Sequence, residues 1–344
     1  MLSISKQTEA IIHCQPGEIP NDIHQYQHPV VLKGLVKHWK LVEVGLQSPQ
    51  KSVDYLKSFY NGKPVFAYFG EPAIDGKYAY NENATELNYE SKKARVDEVL
   101  ELIIEHLYDQ QPPSYYIASN VIDANFPGLG DENNLHIPVT SKSSATESPV
   151  ASIWIGNRSI ARCHYDASDN IACVVSGKRR FITFPPDQIA NLYPGPLAPT
   201  PGGPVITMVD LHNPDFEKYP KVKHALAVGQ VAELEPGDGI YIPSMWWHQV
   251  EALSSYNILV NYWWSDAEKY MGAAMNVLYH AMLSLRDKPA HEKAGWKHIF
   301  DYYIFGEGEQ PTEHLPPEAQ GFLAPMDEMM SRQLRAMLIN KLNR

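Results

Sequence analysis

The residues with the clearest chemical potential are His164 and Asp166, which form a His-x-Asp tripeptide, and His248, which lies far downstream. On a β-strand, residues two apart project from the same face, so His164 and Asp166 can present an imidazole nitrogen and a carboxylate oxygen to one point. His248 would complete a set of two histidines and one carboxylate. That donor set is typical of catalytic Fe(II) sites, in which positions are left open for a co-substrate and dioxygen.

The tripeptide alone is weak evidence. About one or two His-x-acid pairs are expected by chance with 14 histidines and 40 acidic residues in 344. Asp166 alone is equally well explained as a turn residue at a strand end, and His248 alone as a packed histidine beside two tryptophans. The metal hypothesis therefore requires an antiparallel neighbour that brings His248, at the end of the apolar strand 240–242, to the other two residues.

The middle of the chain has the pattern of a β-rich domain able to position these residues. From about 112 to 264, strand-length apolar runs alternate with Gly, Pro, Asn and Asp turns, which predicts a sandwich or barrel. Residues 1–111 have a mixed strand and helix pattern, and apolar residues from 265 onward return to helical spacing. The runs lie at 115–118, 150–155, 171–175, 181–184, 230–234, 240–242 and 258–263.

Composition restricts the classes of function. The 344 residues are 44% hydrophobic and 20% charged, as in a soluble globular protein. A net charge of −11 disfavours nucleic acid as a partner. No stretch has the roughly 18 apolar residues of a spanning helix, and residues 1–9 lack the apolar core of a secretory signal. The three cysteines follow no metal-knuckle spacing, so we expect a reducing, cytoplasmic location and no membrane partner.

Further motifs accompany the tripeptide in a fixed order. They are Asn170, 177–188, 192–194, 236–238, 241–243, 246–248 and 261–263. In order and spacing this series closely resembles the cupin-like branch of JmjC-domain oxygenases, in particular its asparaginyl hydroxylases. The resemblance is strong over 115–264 and weaker at 29–39. It implies a mainly β, α+β fold: a double-stranded β-helix, or jelly roll, over 112–264, an amino-terminal α/β segment over 1–111 that packs on it, and carboxy-terminal helices over 265–344.

The resemblance also implies Fe(II) and the co-substrate 2-oxoglutarate, with His164, Asp166 and His248 as the catalytic metal ligands. Tyr116, Asn170, Arg179, Asn261 and Trp263 match the positions that bind the co-substrate. Each of these side chains also has a purely structural interpretation, such as a core tyrosine, a turn residue, a buried amide or a core aromatic residue.

Two positions depart from the family pattern. Arg179 stands where the family has a lysine; Lys178 precedes it, and strand alternation allows only one of them to face the interior. We favour Arg179, because its planar guanidinium can bind a carboxylate through two hydrogen bonds. Ala161 stands where the family has a threonine that helps to hold the co-substrate, and Ser159 is a candidate substitute.

These features predict a hydroxylase that acts on a protein side chain or a small molecule and produces succinate and CO2. The alternatives are a metal-binding cupin with non-oxidative chemistry and a catalytically silent JmjC-like binding protein. We expect the pocket entrance to comprise loops at 81–91, 126–134 and 194–214. By the resemblance, and because of their methionine-rich apolar stripes, we expect the carboxy-terminal helices to form a homodimer.

Overall fold

A computed structural model describes residues 4–12, 14–137, 149–265, 267–268 and 270–343. The described residues up to Ser265 form one compact unit, and those from 267 onward form a second. Residues 1–3, part of the start on which the prediction of no secretory signal rests, lie outside the described residues.

The first unit is built on two β-sheets that contain all fourteen strands assigned among the described residues. One has nine strands in the order β1-β2-β12-β9-β14-β7-β6-β3-β5, and the other has five in the order β11-β10-β13-β8-β4. The strands are β1 (Glu9–Ile11), β2 (Val30–Leu32), β3 (Val65–Gly70), β4 (Lys77–Tyr78), β5 (Glu90–Ala94), β6 (Ser114–Val121), β7 (Val150–Gly156), β8 (Ser159–Tyr165), β9 (Asp169–Ser176), β10 (Arg179–Phe184), β11 (Gln230–Leu234), β12 (Gly239–Ile242), β13 (Trp247–Ala252) and β14 (Asn257–Trp264).

Strands β7 to β14 confirm the predicted jelly roll. β12, β9, β14 and β7 are neighbours in the larger sheet, and β11, β10, β13 and β8 are neighbours in the smaller one. Every pairing among these eight strands is antiparallel. The amino-terminal segment does more than cover this core: β1, β2, β3 and β5 extend the larger sheet, and β4 pairs in parallel with β8 at the edge of the smaller sheet.

The helices flank this framework or follow it in the chain. Among the described residues, none is long and apolar enough to cross a membrane. They are α1 (Lys40–Gln47), α2 (Pro49–Phe59), α3 (Val96–Glu105), α4 (Ile122–Asn125) and α5 (Val222–Val228) in the first unit, and α6 (Ala274–Ser284), α7 (Ala290–Phe300) and α8 (Glu328–Leu342) in the second.

Local sequence explains the helices that cover the larger sheet. α2 begins where the Ser48 side chain accepts a hydrogen bond from the Lys51 amide at 3.2 Å, with Pro49 in its first turn. α3 buries Val96, Val99, Leu100 and Ile103, a spacing that places one apolar face against the sheet. These side chains belong to the largest apolar cluster, which lies on the outer side of that sheet.

Three smaller apolar clusters of described residues complete the core, and two of them lie on either side of the smaller sheet. One fills one end of the space between the sheets with residues such as Val174, Phe181 and Leu259. The other lies on the outer side of the smaller sheet, where α5 packs against Phe184 and Trp247. The remaining space between the sheets is a cavity lined by side chains from both.

One local prediction was wrong. His248 does not lie at the end of the apolar strand at 240–242, because that strand, β12, ends at Ile242 in the larger sheet. The chain then turns and crosses to the smaller sheet, where β13 begins at Trp247. Met245 has a positive φ of 68° within this turn. His248 is therefore the second residue of a separate strand.

Candidate active site

The two histidines face each other across a strand pair in the smaller sheet. β8 and β13 are antiparallel, and their register places His164 directly opposite His248. Their ring centroids lie 4.4 Å apart. Directly opposite residues are the closest side chains that an antiparallel pair offers, so this register is sufficient to bring two distant histidines to one point.

Asp166 completes the cluster just beyond the end of β8. Its carbonyl accepts a hydrogen bond from the Met245 amide at 2.7 Å, which ties this strand end to the turn before β13. Its Oδ2 lies 3.7 Å from Nε2 of His248. One ligand atom from each of His164, Asp166 and His248 lies within 4.8 Å of the others. The three groups thus share a centre, as the spacing predicted.

Backbone carbonyls fix both rings in the orientation that a metal requires. Nδ1 of His164 lies 2.7 Å from the Arg162 carbonyl, and Nδ1 of His248 lies 2.9 Å from the Trp246 carbonyl. A carbonyl only accepts hydrogen bonds, so each Nδ1 carries a proton and Nε2 is the ring nitrogen left to face a metal. Burial, with a smaller contribution from His164, lowers the pKa of His248 to about 4, so this ring is neutral at pH 7.

Arg179 brings a buried cation to the same cavity. Its side chain projects from β10, which pairs with β13, and the residue is only 2% exposed. Nε and Nη2 have no hydrogen-bond partner among the described residues. Burial lowers the pKa of the guanidinium, and the neighbouring Tyr116 opposes that shift. Lys178 instead lies outside, 61% exposed in its side chain and 2.7 Å from Glu235.

A chain of polar side chains forms the opposite wall of the cavity. Nε1 of Trp154 donates to Asn261 at 2.7 Å, and Nδ2 of Asn261 donates to Asn170 at 3.1 Å. Trp263 packs edge-on against Trp154, with ring centroids 5.7 Å apart. Asn170, Asn261, Trp263 and Tyr116 all line the cavity, as Arg179 does. The structural interpretation of Asn261 was a buried amide hydrogen-bonded to the backbone. Its side chain is instead hydrogen-bonded to two other side chains, Trp154 and Asn170.

The cavity has a volume of about 210 Å³, and several of its lining residues were not predicted. Tyr68, Tyr78 and Tyr89 form an aromatic wall with ring centroids 4.8–5.9 Å apart. All three belong to the amino-terminal segment; Tyr89 falls within the predicted entrance loop 81–91, whereas the sequence offered no signal of a role in the site for Tyr68 and Tyr78. Arg162 also lines the cavity, and its position two residues before His164 was a usable signal.

The structure corrects two details of the predicted pocket. Parts of 81–91 and 194–214 line the cavity, but among its described residues the segment 126–134 does not. That segment is structural: Asn133 accepts a hydrogen bond from the Leu41 amide, and the Asn134 carbonyl accepts one from Trp39. Ala161 lines the cavity, whereas Ser159 is buried away from it, so Ser159 does not substitute for the family threonine.

The fold and site define a class: jelly-roll proteins with a His-x-Asp…His cluster that could hold a metal ion. The sequence matches one family of this class, the Cupin-like domain, over residues 16–270, which is well over half of the chain. The chain belongs to this family.

Comparison with curated proteins gives relatives of several kinds. The chain is 30% identical over 169 residues to lysine-specific demethylase JMJ31 of Arabidopsis thaliana, covering 46% of this chain and 29% of that protein. It is 23% identical over 256 residues to lysine-specific demethylase 8 of Xenopus tropicalis, covering 74% and 52%. It is 27% identical over 252 residues to tRNA wybutosine-synthesizing protein 5 of Gallus gallus, covering 71% and 72%. The matched region thus spans about half or less of the two demethylases.

Proposed function

We propose that the protein is an Fe(II)- and 2-oxoglutarate-dependent oxygenase that hydroxylates a protein side chain or a small molecule. The convergence of His164, Asp166 and His248 within 4.8 Å is the observation that carries this proposal. Two imidazoles and one carboxylate on one side of a centre match the facial set that holds Fe(II) in such enzymes. Relatives with names of different activities within one family are consistent with a shared chemistry and different substrates.

The residues around the cluster fit the co-substrate. A buried guanidinium with two unpartnered nitrogens is costly unless an anion pairs with it, and 2-oxoglutarate offers a carboxylate at its far end. Arg179 would bind that carboxylate, and the Tyr116 hydroxyl would donate a second hydrogen bond to it. Asn170 and Asn261, held by Trp154, would orient the remainder of the molecule.

When bound, Fe(II) and 2-oxoglutarate would supply the oxidising chemistry, converting O2 and the co-substrate into succinate, CO2 and a hydroxylated substrate. The protein contributes position and exclusion of water. His164 and His248 are kept in one tautomer by backbone carbonyls, so neither ring must reorient to bind metal. Trp263 and the Tyr68, Tyr78 and Tyr89 wall shield the cavity from solvent.

The decisive experiment has two stages. Under anaerobic conditions, the purified protein with Fe(II) and 2-oxoglutarate should develop a visible charge-transfer band. After O2 is admitted, succinate should form. Asp166→Ala should abolish both signals, and Asp187→Ala, which removes an exposed carboxylate, should preserve both.

The rival functions give different outcomes. A cupin with non-oxidative chemistry would bind a metal without producing the band or succinate, and a catalytically silent domain would produce no succinate. If Asp166→Ala leaves succinate formation undiminished, the metal assignment is refuted.

The substrate is a separate question. The narrower resemblance to asparaginyl hydroxylases favours a protein side chain, and it stays a prediction. Mass spectrometry of a cell extract incubated with the enzyme under ¹⁸O2 would identify the acceptor directly. The cysteines Cys14, Cys163 and Cys173 are free thiols, which supports the proposed reducing, cytoplasmic location.

We also propose that the second unit forms a homodimer. α6 and α7 bury none of their residues, and α8 buries only Ser331 among its described residues. Helices in proteins gain most of their stability by packing an apolar face, so these helices require a partner surface. A second copy of the same helices would supply one. Exposed apolar residues of this unit include Val277, Leu278, Leu283, Ile299, Ile304, Phe305, Leu338, Ile339 and Leu342.

A further inference from the structure

Arg162 is a second cationic side chain of the cavity, distinct from the predicted co-substrate anchor. It lies on β8, two residues before His164, and lines the same cavity as Asp166 and Arg179. The register between β8 and β13 shifts between His248 and Val250, so that Arg162 and Cys163 together lie opposite a single residue. Such a bulge re-aims side chains next to a site, and here Ala161, Arg162 and His164 all line the cavity.

The guanidinium of Arg162 has no committed counter-ion. Among the described residues it forms no ion pair. The acidic group that acts on it from a distance is Asp210. The oxygens of Asp210 are already used: Oδ2 is 3.2 Å from Nζ of Lys77, and Oδ1 accepts from the His212 amide at 3.0 Å. Arg162 is half-buried and lines the cavity, so an anion bound there would pair with a partly desolvated cation.

The charges of the cavity then determine which substrates it favours. The described charged groups of the lining are Arg162, Arg179 and Asp166. If the proposed function holds, the metal neutralises Asp166 and 2-oxoglutarate pairs with Arg179. Arg162 is then the remaining uncompensated charge that a substrate meets, and it is positive.

The apolar part of the pocket lies beside this cation. Tyr78 of β4 pairs in register with Ala161, the neighbour of Arg162. The ring of Tyr78 lies 5.0 Å from Tyr89 and 5.9 Å from Tyr68, centroid to centroid. A flat apolar group can pack on this wall while a charged group next to it reaches the guanidinium.

We infer, on the basis of the proposed function, that the substrate carries a carboxylate that binds Arg162 and an apolar body that packs on the tyrosine wall. The same arrangement disfavours an ammonium or methylammonium side chain, because a cation would meet Arg162 in a partly desolvated space. In this respect the substrate differs from the one that the names of the lysine demethylase relatives indicate.

The test uses three probes of nearly one shape and different charge: 3-phenylpropanoate, 3-phenylpropanamide and 3-phenylpropylamine. Calorimetric titration is performed anaerobically on the full chain with Mn(II) and saturating 2-oxoglutarate. A charge-assisted hydrogen bond contributes about 1.5–3 kcal/mol, so the acid should bind about 10- to 100-fold more tightly than the amide. The amine should bind most weakly.

The variants assign the preference to one side chain. Arg162→Gln should reduce the ratio of acid to amide affinity to about one while the amide still binds, which shows that the pocket is intact. Arg158→Gln removes the same charge from an exposed position and should retain the wild-type ratio. An unchanged ratio in Arg162→Gln, tightest binding of the amine, or binding of none of the three probes overturns the inference.

Binding of Mn(II) and 2-oxoglutarate is titrated first in the same samples. If Mn(II) or 2-oxoglutarate does not bind, the oxygenase proposal is refuted. The substrate inference is then judged only by the relative affinities of the acid, the amide and the amine. Success of that step together with a wild-type ratio in Arg162→Gln refutes the substrate inference alone.

Discussion

Arg179 gives the sharpest prediction, because one substitution should move two measured quantities in opposite directions. We consider Arg179→Met, which keeps an unbranched side chain of similar length and removes the charge. In the wild-type protein this residue is 2% exposed, with Nε and Nη2 unpartnered among the described residues. Each buried, unsatisfied polar group costs about 1–3 kcal/mol, so removing the unpaired buried charge should not destabilise the ligand-free protein.

The ligand-free variant should therefore be at least as stable as the wild type, with a melting temperature that is unchanged or a few degrees higher. Its affinity for 2-oxoglutarate should fall, because the far carboxylate loses a buried charged partner, which typically costs about 3–5 kcal/mol. At 1.4 kcal/mol for each factor of ten, the loss is about 100-fold to a few thousand-fold.

The assay is thermal unfolding with Mn(II), with and without 2-oxoglutarate. A ligand at 100 times its Kd stabilises the native state by about 2.7 kcal/mol, so the wild-type protein should show a clear upward shift. Arg179→Met should lose that shift, and Arg179→Lys should recover part of it.

Lys178→Met is the matched control. It removes a neighbouring cation whose pair with Glu235 is exposed to solvent and contributes little to stability, so its response to 2-oxoglutarate should be that of the wild type. An Arg179→Met variant that is destabilised without ligand yet still stabilised by 2-oxoglutarate would show that the buried guanidinium is a structural element and not the anchor.

Three further predictions concern stability and assembly. Burial acts to raise the pKa of Glu251, but hydrogen bonds and charges from His212, Gln249 and Arg180 hold it below its ordinary value of 4.5. The Glu251 carboxylate therefore contributes its full stabilisation above pH 4.5, and this stabilisation is lost as the pH falls through the lowered pKa of the folded state. In Glu251→Gln, the urea midpoint of unfolding should fall less steeply at acid pH than in the wild type. The same pH dependence in both proteins would contradict this. Ile103→Ala, in the fully buried face of α3, should lower the free energy of unfolding in urea by about 2–5 kcal/mol. The control Leu46→Ala, at an exposed position, should lower it by about 0.5 kcal/mol or less. Light scattering on the wild-type protein should give twice the chain mass of 38.8 kDa, and a monomeric wild type refutes the dimer. Ile339→Glu in α8 should shift the protein toward the monomer. Asn340→Glu adds the same charge to the same helix and should leave the dimer intact.

Sequence patterns reached most of the fold because most strands of the jelly roll contain a strand-length apolar run. The exceptions are β8 and β13, which carry the two histidines and have polar residues on both faces. The run at 258–263, for instance, lies within β14 (Asn257–Trp264), and 230–234 coincides with β11. Alternation also placed Arg179 and Phe181 on the cavity side of β10, opposite to Arg180. The positions of these strands and the inward or outward direction of their residues depend on local periodicity, which is visible in the sequence itself.

The errors arose where the chain changes direction without a periodic signal. His248 was placed on the wrong strand because the turn between β12 and β13, with Met245 in a left-handed conformation, moves the chain from one sheet to the other within four residues. Tyr68 and Tyr78 of the tyrosine wall could not be predicted, because β3 and β4 approach the cavity only through pairing with distant strands. Segment 126–134 has the composition of a surface loop, yet Asn133 is buried and satisfies the start of α1.

The order of strands in the smaller sheet has a consequence for how this protein type diversifies. β10, β13 and β8 are adjacent in that sheet and carry Arg179 and the two histidines, whereas the tyrosine wall and the lining stretch at 201–206 come from the amino-terminal segment and an insertion between β10 and β11. The aromatic part of the lining thus comes from other segments of the chain than the two histidines and Arg179, whereas Arg162 lies on β8 together with His164. Under the proposed function, substitutions in the tyrosine wall or in 201–206 would change which apolar groups fit the cavity without altering the residues proposed to hold the metal and the co-substrate.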